Sequence, residues 1–399
     1  MPEPFLPQPV FAVEDADPPS VPRALISPHR YIQGPGVIDH LGRYLSLVPS
    51  RRAAVLISDG GQKRFGARVG DSLKQNGVEA VTVIFDGECS VAEVDRVAGE
   101  LASKDVDAVI AVGGGKCLDA GKCVAHRVSV PAVSCPTLAS TDAPCSAVSV
   151  MYTEEGVLEA VEFFPSNPAI VVVDTRIVAD APVRFLVAGI GDALATWYEA
   201  RTCFRNPAAR SAFGSRITIA ATTIAELCAD TVREYGMAAV ESVRKGVIDE
   251  GVERVVEANT LLSGVGFESG GLAVTHAIAS ALTFLPQAHH DALHGELVSI
   301  GILTQLALED DLDEAREAAA FLADIGLPVH LGQISIDLER DAEGLRAAME
   351  GAASFPFVAN EPFEVTPESL FDALSRAHAL GVEVTASKGD EAYRALRAA

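Results

Sequence analysis

Nothing in this chain is long and apolar enough to span a bilayer, which takes about 20 consecutive apolar residues. The opening Met1-Pro-Glu-Pro-Phe5 carries neither the basic region nor the apolar core of a secretory signal. Positive charge is scarce as well: 31 Lys and Arg against 55 Asp and Glu leave a net charge of −24. Nucleic acids and anionic membranes both call for a basic face, so neither is expected as a partner. Cysteine pairing is missing too. Cys89, Cys117, Cys123, Cys135, Cys145, Cys203 and Cys228 are odd in number, scattered, and never spaced as CxxC. Such thiols read as small buried hydrophobes in a reducing compartment, and a cytoplasmic protein is expected. Internal repeats are absent. The one biased tract is residues 1–22, which holds seven of the 22 prolines and an acidic patch at Glu14–Asp17. It reads as an extended arm, either disordered or lying on a neighbour.

What is present begins with length. At 399 residues the chain can form two domains with substantial cores. Its organising stretch is Asp107-Ala-Val-Ile-Ala-Val-Gly-Gly-Gly-Lys-Cys-Leu-Asp119. Val106–Val112 reads as a buried strand, its apolar run from Ala108 suited to a central strand covered on both faces. Gly113, Gly114 and Gly115 let the backbone turn tightly and come close to a ligand. A helix starting near Lys116 would aim its free N–H groups and positive dipole end at the same spot. This is a place for an anion, most simply the pyrophosphate of a nucleotide. GGGK has the spacing of neither the Walker loop nor GxGxxG, so a structural turn would account for the same glycines.

Around this stretch, strand and helix alternate. Strands are expected at Ala53–Ser58, Ala80–Phe85, Val130–Ser134 and Ala169–Val173, and helices at Lys63–Asn76, Val91–Lys104 and from Lys116 to Arg127. The spacings demand crossover connections, hence a parallel α/β sheet. Val148–Tyr152 and Ala160–Glu162 read as a hairpin added to that sheet. From about Pro182 the pattern changes to long Ala- and Leu-rich helices. The expected organisation is an arm at 1–22, an α/β domain with a parallel Rossmann-like sheet at 23–181, and an all-α domain at 182–399.

A ligand cleft belongs at the carboxyl ends of the strands. Asp59 ends the first of them, where a carboxylate could accept hydrogen bonds from a ribose and repel a 2′-phosphate. That favours NAD over NADP, although Lys63 and Arg64 stand close by and a turn or N-cap role would serve equally. The helical half supplies Asp192, His276 and His294 on three separate helices. Two imidazoles and a carboxylate are what a catalytic zinc takes while keeping a position open for substrate. Spacing alone does not bring these helices together, and His289 and His290 are competing candidates in a loop.

Five segments carry a family likeness: VGGGKCLDAGK (112–122), PTLASTDAPCSAVSVMYTEEG (136–156), GIGDALATWYEAR (189–201), LSGVGFESGGLAVTHAI (262–278) and HGELVSIGILTQL (294–306). The chain resembles the glycerol dehydrogenase family, the zinc-dependent branch of the iron-containing alcohol dehydrogenase superfamily, from about Ser27 to the C-terminus. The resemblance implies the dehydroquinate synthase-like fold of that superfamily. It places the metal ligands on Asp192, His276 and His294. Cofactor contacts fall on Asp59, Gly114, Gly115, Lys116, Asp119, Thr137, Ser140, Ser146, Val148 and Tyr152. Asp142 becomes the substrate-positioning carboxylate, with Phe267 and His276 at the substrate. A homo-oligomer, an octamer in the family, is implied too.

One position separates the branches. Iron-dependent relatives carry a histidine four residues after the ligand aspartate, one helical turn on and on the same face; here it is Thr196. Losing that imidazole favours zinc over iron. The chain departs from the family at Ala279-Ser280, where His-Asn is usual, at Leu297, where Lys is usual, and through residues 205–219. The expected reaction is reversible oxidation by NAD of glycerol or a related vicinal diol to the hydroxyketone, with other small diols and amino alcohols as alternatives. A lyase resembling dehydroquinate synthase would need several Lys or Arg to hold a substrate phosphate, and the metal-bearing segments offer almost none. A non-catalytic nucleotide-binding regulator would not need the intact ligand and glycine-loop residues.

Overall fold

The computed structural model describes residues 5–11, 20–154 and 156–398. Six strands, β1 (Tyr31–Gly34), β2 (Arg52–Ser58), β3 (Glu79–Phe85), β4 (Ala108–Gly113), β5 (Ala132–Pro136) and β8 (Ile170–Asp174), form one sheet in the order β1-β8-β5-β4-β2-β3. Every pairing in it is parallel. The five central residues of β2 and all of β8 are buried, as strands covered on both faces must be. From β2 the chain moves outward to β3 and then returns to place β4 on the other side of β2. The order therefore switches between β2 and β4, and a crevice opens at their carboxyl ends.

Ser58 changes one expectation. Its hydroxyl accepts from the Gly61 N–H at 3.1 Å and caps helix α1 (Asp59–Gln75). Asp59 thus opens a helix rather than ending the strand, four residues before the expected start. Helices α2 (Val91–Leu101) and α3 (Gly115–Arg127) follow their strands as anticipated. The hairpin is a second correction: β6 (Val148–Tyr152) and β7 (Leu158–Phe163) form a separate two-stranded antiparallel ribbon, not an addition to the six-stranded sheet. The reason is a helix rather than a strand at its edge. The Val150 N–H donates to Asp119 Oδ2 at 3.0 Å and the Ser149 hydroxyl to the Asp119 carbonyl at 3.0 Å, so α3 takes up polar groups another strand would have used.

Of the N-terminal arm, residues 1–4 and 12–19 lie outside the described residues. Phe5 bridges antiparallel to Phe163, and Phe5 and Phe11 pack on a core shared with α3 and β6. The described part of the arm therefore rests on its own chain. Among the described residues, no helix is long and apolar enough to cross a membrane.

The remainder is helical. Helix α4 (Val183–Arg205) and α5 (Ile219–Arg244) lead to a continuous rod made of α6 (Glu250–Glu257), one π turn at Ala258–Leu262, and α7 (Ser263–Gly270). Then come α8 (Val274–Leu282) and α9 (His294–Leu308), ahead of further helices that run to Ala398. Both α4 and α9 are buried nearly all round, which marks them as the central pair of this half. Glycine lets them touch. A Cβ on Gly295 would lie 1.8 Å from the Ala188 carbonyl oxygen, and one on Gly191 would lie 2.6 Å from the Gly295 oxygen. Any side chain at either position would force the helices apart. The next residue after Gly191 is Asp192, and the one before Gly295 is His294.

Candidate metal and dinucleotide site

A cavity of about 850 Å³ lies over the carboxyl ends of β2, β4 and β5, a size that suits a small-molecule cofactor. Gly113, Gly114, Gly115, Lys116 and Thr137 line its middle. Gly114 is the extended N-cap residue of α3 and offers no capping side chain, so the first N–H groups of that helix are left for a ligand. Lys116 stands beside them, 2.6 Å from Glu88, with its ammonium 5.3 Å from the centre of the Tyr152 ring. One end of the cavity is bounded by Ser58, Arg64, Phe65 and Phe85, the other by Ile177, Asp180 and Phe185.

Several of the expected cofactor contacts sit behind this surface. Asp119 is buried and paired with the buried Lys122 at 2.9 Å. Lys122 Nζ donates to the Ala143 carbonyl at 2.9 Å, to Ser146 O and Oγ, and to the Val148 carbonyl. Asp119, Ser146 and Val148 thus belong to a lock that fixes residues 143–150 against α3. Burial raises the Asp119 carboxyl despite the lysine. Ser140 is half-buried in the loop after Thr137 and lies outside the cavity lining. Asp59 is exposed, tied to Lys63, and also outside the lining; Arg64 lines that end instead.

The loop from Thr137 to Ala143 separates the cavity from a second cluster. Its Ala139 carbonyl accepts from Asn259 at 3.0 Å, and its Asp142 N–H donates to Asp192 Oδ2 at 3.2 Å. Asp192, His276 and His294 converge, with potential ligand atoms all within 4.8 Å of one another. Asp192 Oδ1 lies 3.4 Å from His276 Nε2 and 3.3 Å from His294 Nε2. That oxygen is fully buried and has no hydrogen-bond partner. An unsatisfied buried carboxylate oxygen is costly, and a cation between the three groups would satisfy it. Burial works against ionising Asp192, but His294 and His276 outweigh it and hold the carboxyl below its usual range. Asp142 behaves oppositely: burial, and then the nearby Asp192 charge, raise it well above that range. His294 is the exposed member at 40%, which leaves one side of the cluster open to a ligand. His289 and His290 fall on a short helix, Pro286–Asp291, not a loop, and their side chains lie outside the described ones.

The family model for iron-containing alcohol dehydrogenases matches residues 28–175. A glycerol dehydrogenase of Escherichia coli O6:H1 is 44% identical over 361 residues, covering 90% of this chain and 97% of that protein. A glycolaldehyde reductase of Halobacterium salinarum is 41% identical over 366 residues, covering 90% and 98%. The crystal structure of glycerol dehydrogenase from Schizosaccharomyces pombe superposes with a TM-score of 0.86 at 36% identity, covering 92% of this chain and 93% of that one. The chain belongs to the glycerol dehydrogenase family. That family lies within the iron-containing alcohol dehydrogenases and comprises oxidoreductases of the CH–OH group.

In this glycerol dehydrogenase family member Thr196, the position on which the expectation of zinc turned, joins a hydrogen-bond chain. Thr196 Oγ1 lies 2.8 Å from Ser263 Oγ, and Ser263 donates to Asp142 Oδ2 at 3.0 Å. Through Ser263, Thr196 anchors Asp142. Two departures from the family pattern, Ala279 and Leu297, are buried in the main helical core, and Phe267 is buried as well.

Sequence reading missed Glu199. It follows Asp192 by seven residues on α4, two turns on and on the same face, and is fully buried. Its Oε2 is 2.5 Å from His276 Nδ1, and its Oε1 accepts from the N–H groups of Ala273 at 2.8 Å and His276 at 3.1 Å. The available signal was an acidic residue two turns from a ligand inside a helix otherwise rich in alanine and leucine.

Proposed function

We propose that this chain oxidises a small vicinal diol, glycerol first among them, to the hydroxyketone, reversibly, with NAD as hydride acceptor and zinc held by Asp192, His276 and His294. The observation that carries the reading is Asp192 Oδ1, buried, unpartnered and flanked by two imidazole nitrogens. Two nitrogens and one carboxylate with an open position serve both zinc and iron; zinc is the choice here because Thr196 supplies no further imidazole. A zinc ion bound there would act as a Lewis acid, favouring ionisation of a coordinated hydroxyl. The other roles fall to the chain itself. Gly114, Gly115, Lys116 and Thr137 would hold a dinucleotide across the carboxyl ends of the strands, its pyrophosphate at the N-terminus of α3. The Phe185 end of the cavity begins the helix that carries Asp192, so the nicotinamide belongs at that end. Ser263 holds Asp142 Oδ2, leaving Oδ1 to meet the second hydroxyl of a diol and fix its orientation. Family likeness further supports a homo-oligomer, which light scattering would size.

The test is NAD reduction by glycerol, 1,2-propanediol, 2,3-butanediol, 1-amino-2-propanol and 1-propanol under identical conditions with added zinc. Glycolaldehyde with NADH belongs in the same panel because of the Halobacterium relative. A site built around two hydroxyls should favour the diols over 1-propanol in kcat/KM, by as much as about 10⁴-fold where a hydroxyl partner is left unpaired. If 1-propanol matches the best diol, the two-point grip is wrong.

A further inference from the structure

We propose that Glu199 selects the metal-binding tautomer of His276, a positioning role that rests on the metal reading above. An ionised carboxylate has only acceptors to offer. Oε2 of Glu199, 2.5 Å from His276 Nδ1, therefore requires the imidazole hydrogen on Nδ1. The lone pair of the neutral ring is then on Nε2, the nitrogen that faces Asp192 Oδ1 at 3.4 Å. The same carboxylate fixes the ring in space. Oε1 takes the backbone N–H groups of Ala273 and His276 at the start of α8, where Ala273 has no capping side chain of its own. Glu199 is fully buried on α4, the helix that also carries Asp192. One helix thus supplies both a ligand and the group that orients a second ligand.

Glu199→Gln separates orientation from capping. The amide oxygen can still accept the two backbone N–H groups. Its NH₂ must then face Nδ1 as a donor, which moves the imidazole hydrogen to Nε2, where the metal should bind. Zinc affinity, measured by competition with a chromophoric chelator, should weaken by about 10–100-fold, the usual cost of losing such a partner. The melting temperature of the chelator-treated, metal-free protein should stay within a few degrees of the unmutated chain. In a His276→Ala background, Glu199→Gln should leave the residual zinc affinity unchanged. If Glu199→Gln does not fold, Glu199→Asp carries the same test, because it keeps the charge but withdraws it by one methylene. An unmutated chain that binds no zinc would overturn the metal reading itself. One zinc bound equally tightly by both chains would overturn the role of Glu199 alone. So would a metal-free melting temperature that falls in step with the affinity, because capping would then explain both.

Discussion

The glycine loop of the sheet half is positioned by residues next to it in the chain: β4 delivers Gly113, Gly114 caps α3, and the cavity opens where they meet. The metal cluster of the helical half is positioned by residues far from it. Asp192, His276 and His294 sit on three helices, brought together by bare glycine contacts between α4 and α9 and by Glu199 reaching α8. A local site tolerates change in its surroundings and depends on its own few residues. A site assembled at a distance depends on the packing that assembles it. The two halves should therefore respond differently to substitution.

The largest effect comes from removing a ligand. His276→Ala should lose diol oxidation to background while keeping its fold and its affinity for NADH, read by fluorescence titration, because no part of the cavity lining depends on that imidazole. Loss of NADH binding together with activity would mean the two sites are not separately built. Next come the glycines. In Gly295→Ala the new Cβ meets the Ala188 oxygen at 1.8 Å, a backbone atom that cannot move alone. A loss of more than about 3 kcal/mol, the upper end of ordinary overpacking, is expected in denaturant unfolding. Gly114→Ala meets only the flexible Leu138 side chain, at 3.2 Å. It should cost less than about 1 kcal/mol, within the range of changes away from the packed core, yet weaken dinucleotide binding. Equal destabilisation by the two would erase the contrast.

Glu268 tests the seam between the halves. On α7 it accepts from the Ala147 N–H at 2.6 Å and from Asn167 at 2.5 Å, and burial pushes its carboxyl from an ordinary 4.5 up to about 7. Below the lower value both folded and unfolded chains are protonated, and the contribution to stability is full. As pH rises through the interval the unfolded chain ionises first, so stability falls. The loss should reach about 3 kcal/mol above pH 7, at about 1.4 kcal/mol per pH unit. Denaturation midpoints at pH 5 and pH 8 should differ less in Glu268→Gln than in the unmutated chain. The smallest effect is expected at Asp59. Its carboxylate is exposed and tied to Lys63 outside the cavity lining. Asp59→Gly should change the NAD to NADP ratio in kcat/KM by no more than about fivefold, the equivalent of an exposed pair worth about 1 kcal/mol. A larger change would place that carboxylate on the ribose after all.

The same division explains what could be read from the sequence. Apolar runs located β2, β4, β5 and β8 within about two residues, because a strand between two covering layers is announced by its own composition. The exposed edge strand β3 was found as closely because its residues Val81, Val83, Ile84 and Phe85 are strand formers. The four residues of β1 escaped notice because the strand is short, each residue is half-buried, and Tyr31-Ile-Gln-Gly34 forms no apolar run. The start of α1 was misplaced because Ser58 reads equally well as the end of a strand and as a cap. Ribbon β6–β7 was recognised as a hairpin, but its neighbour is decided by Asp119, whose reach to Val150 leaves no periodic trace. In the helical half the ligands were legible only through family likeness. Nothing in the spacing of Asp192, His276 and His294 makes their helices meet; the steric opportunity at Gly191 and Gly295 does, and it becomes visible only once the helices are packed.

The loop from Thr137 to Ala143 borders both centres: Thr137 lines the cavity, and the Asp142 N–H holds Asp192. Any preference of this loop for one arrangement is felt on both sides at once. Thermodynamic linkage makes such an influence symmetric: whatever factor a bound metal adds to dinucleotide affinity, the dinucleotide returns in full to the metal. Zinc titrations with and without NADH, and NADH titrations with and without zinc, must therefore yield a single coupling constant, and its size measures how stiffly seven residues join two binding sites.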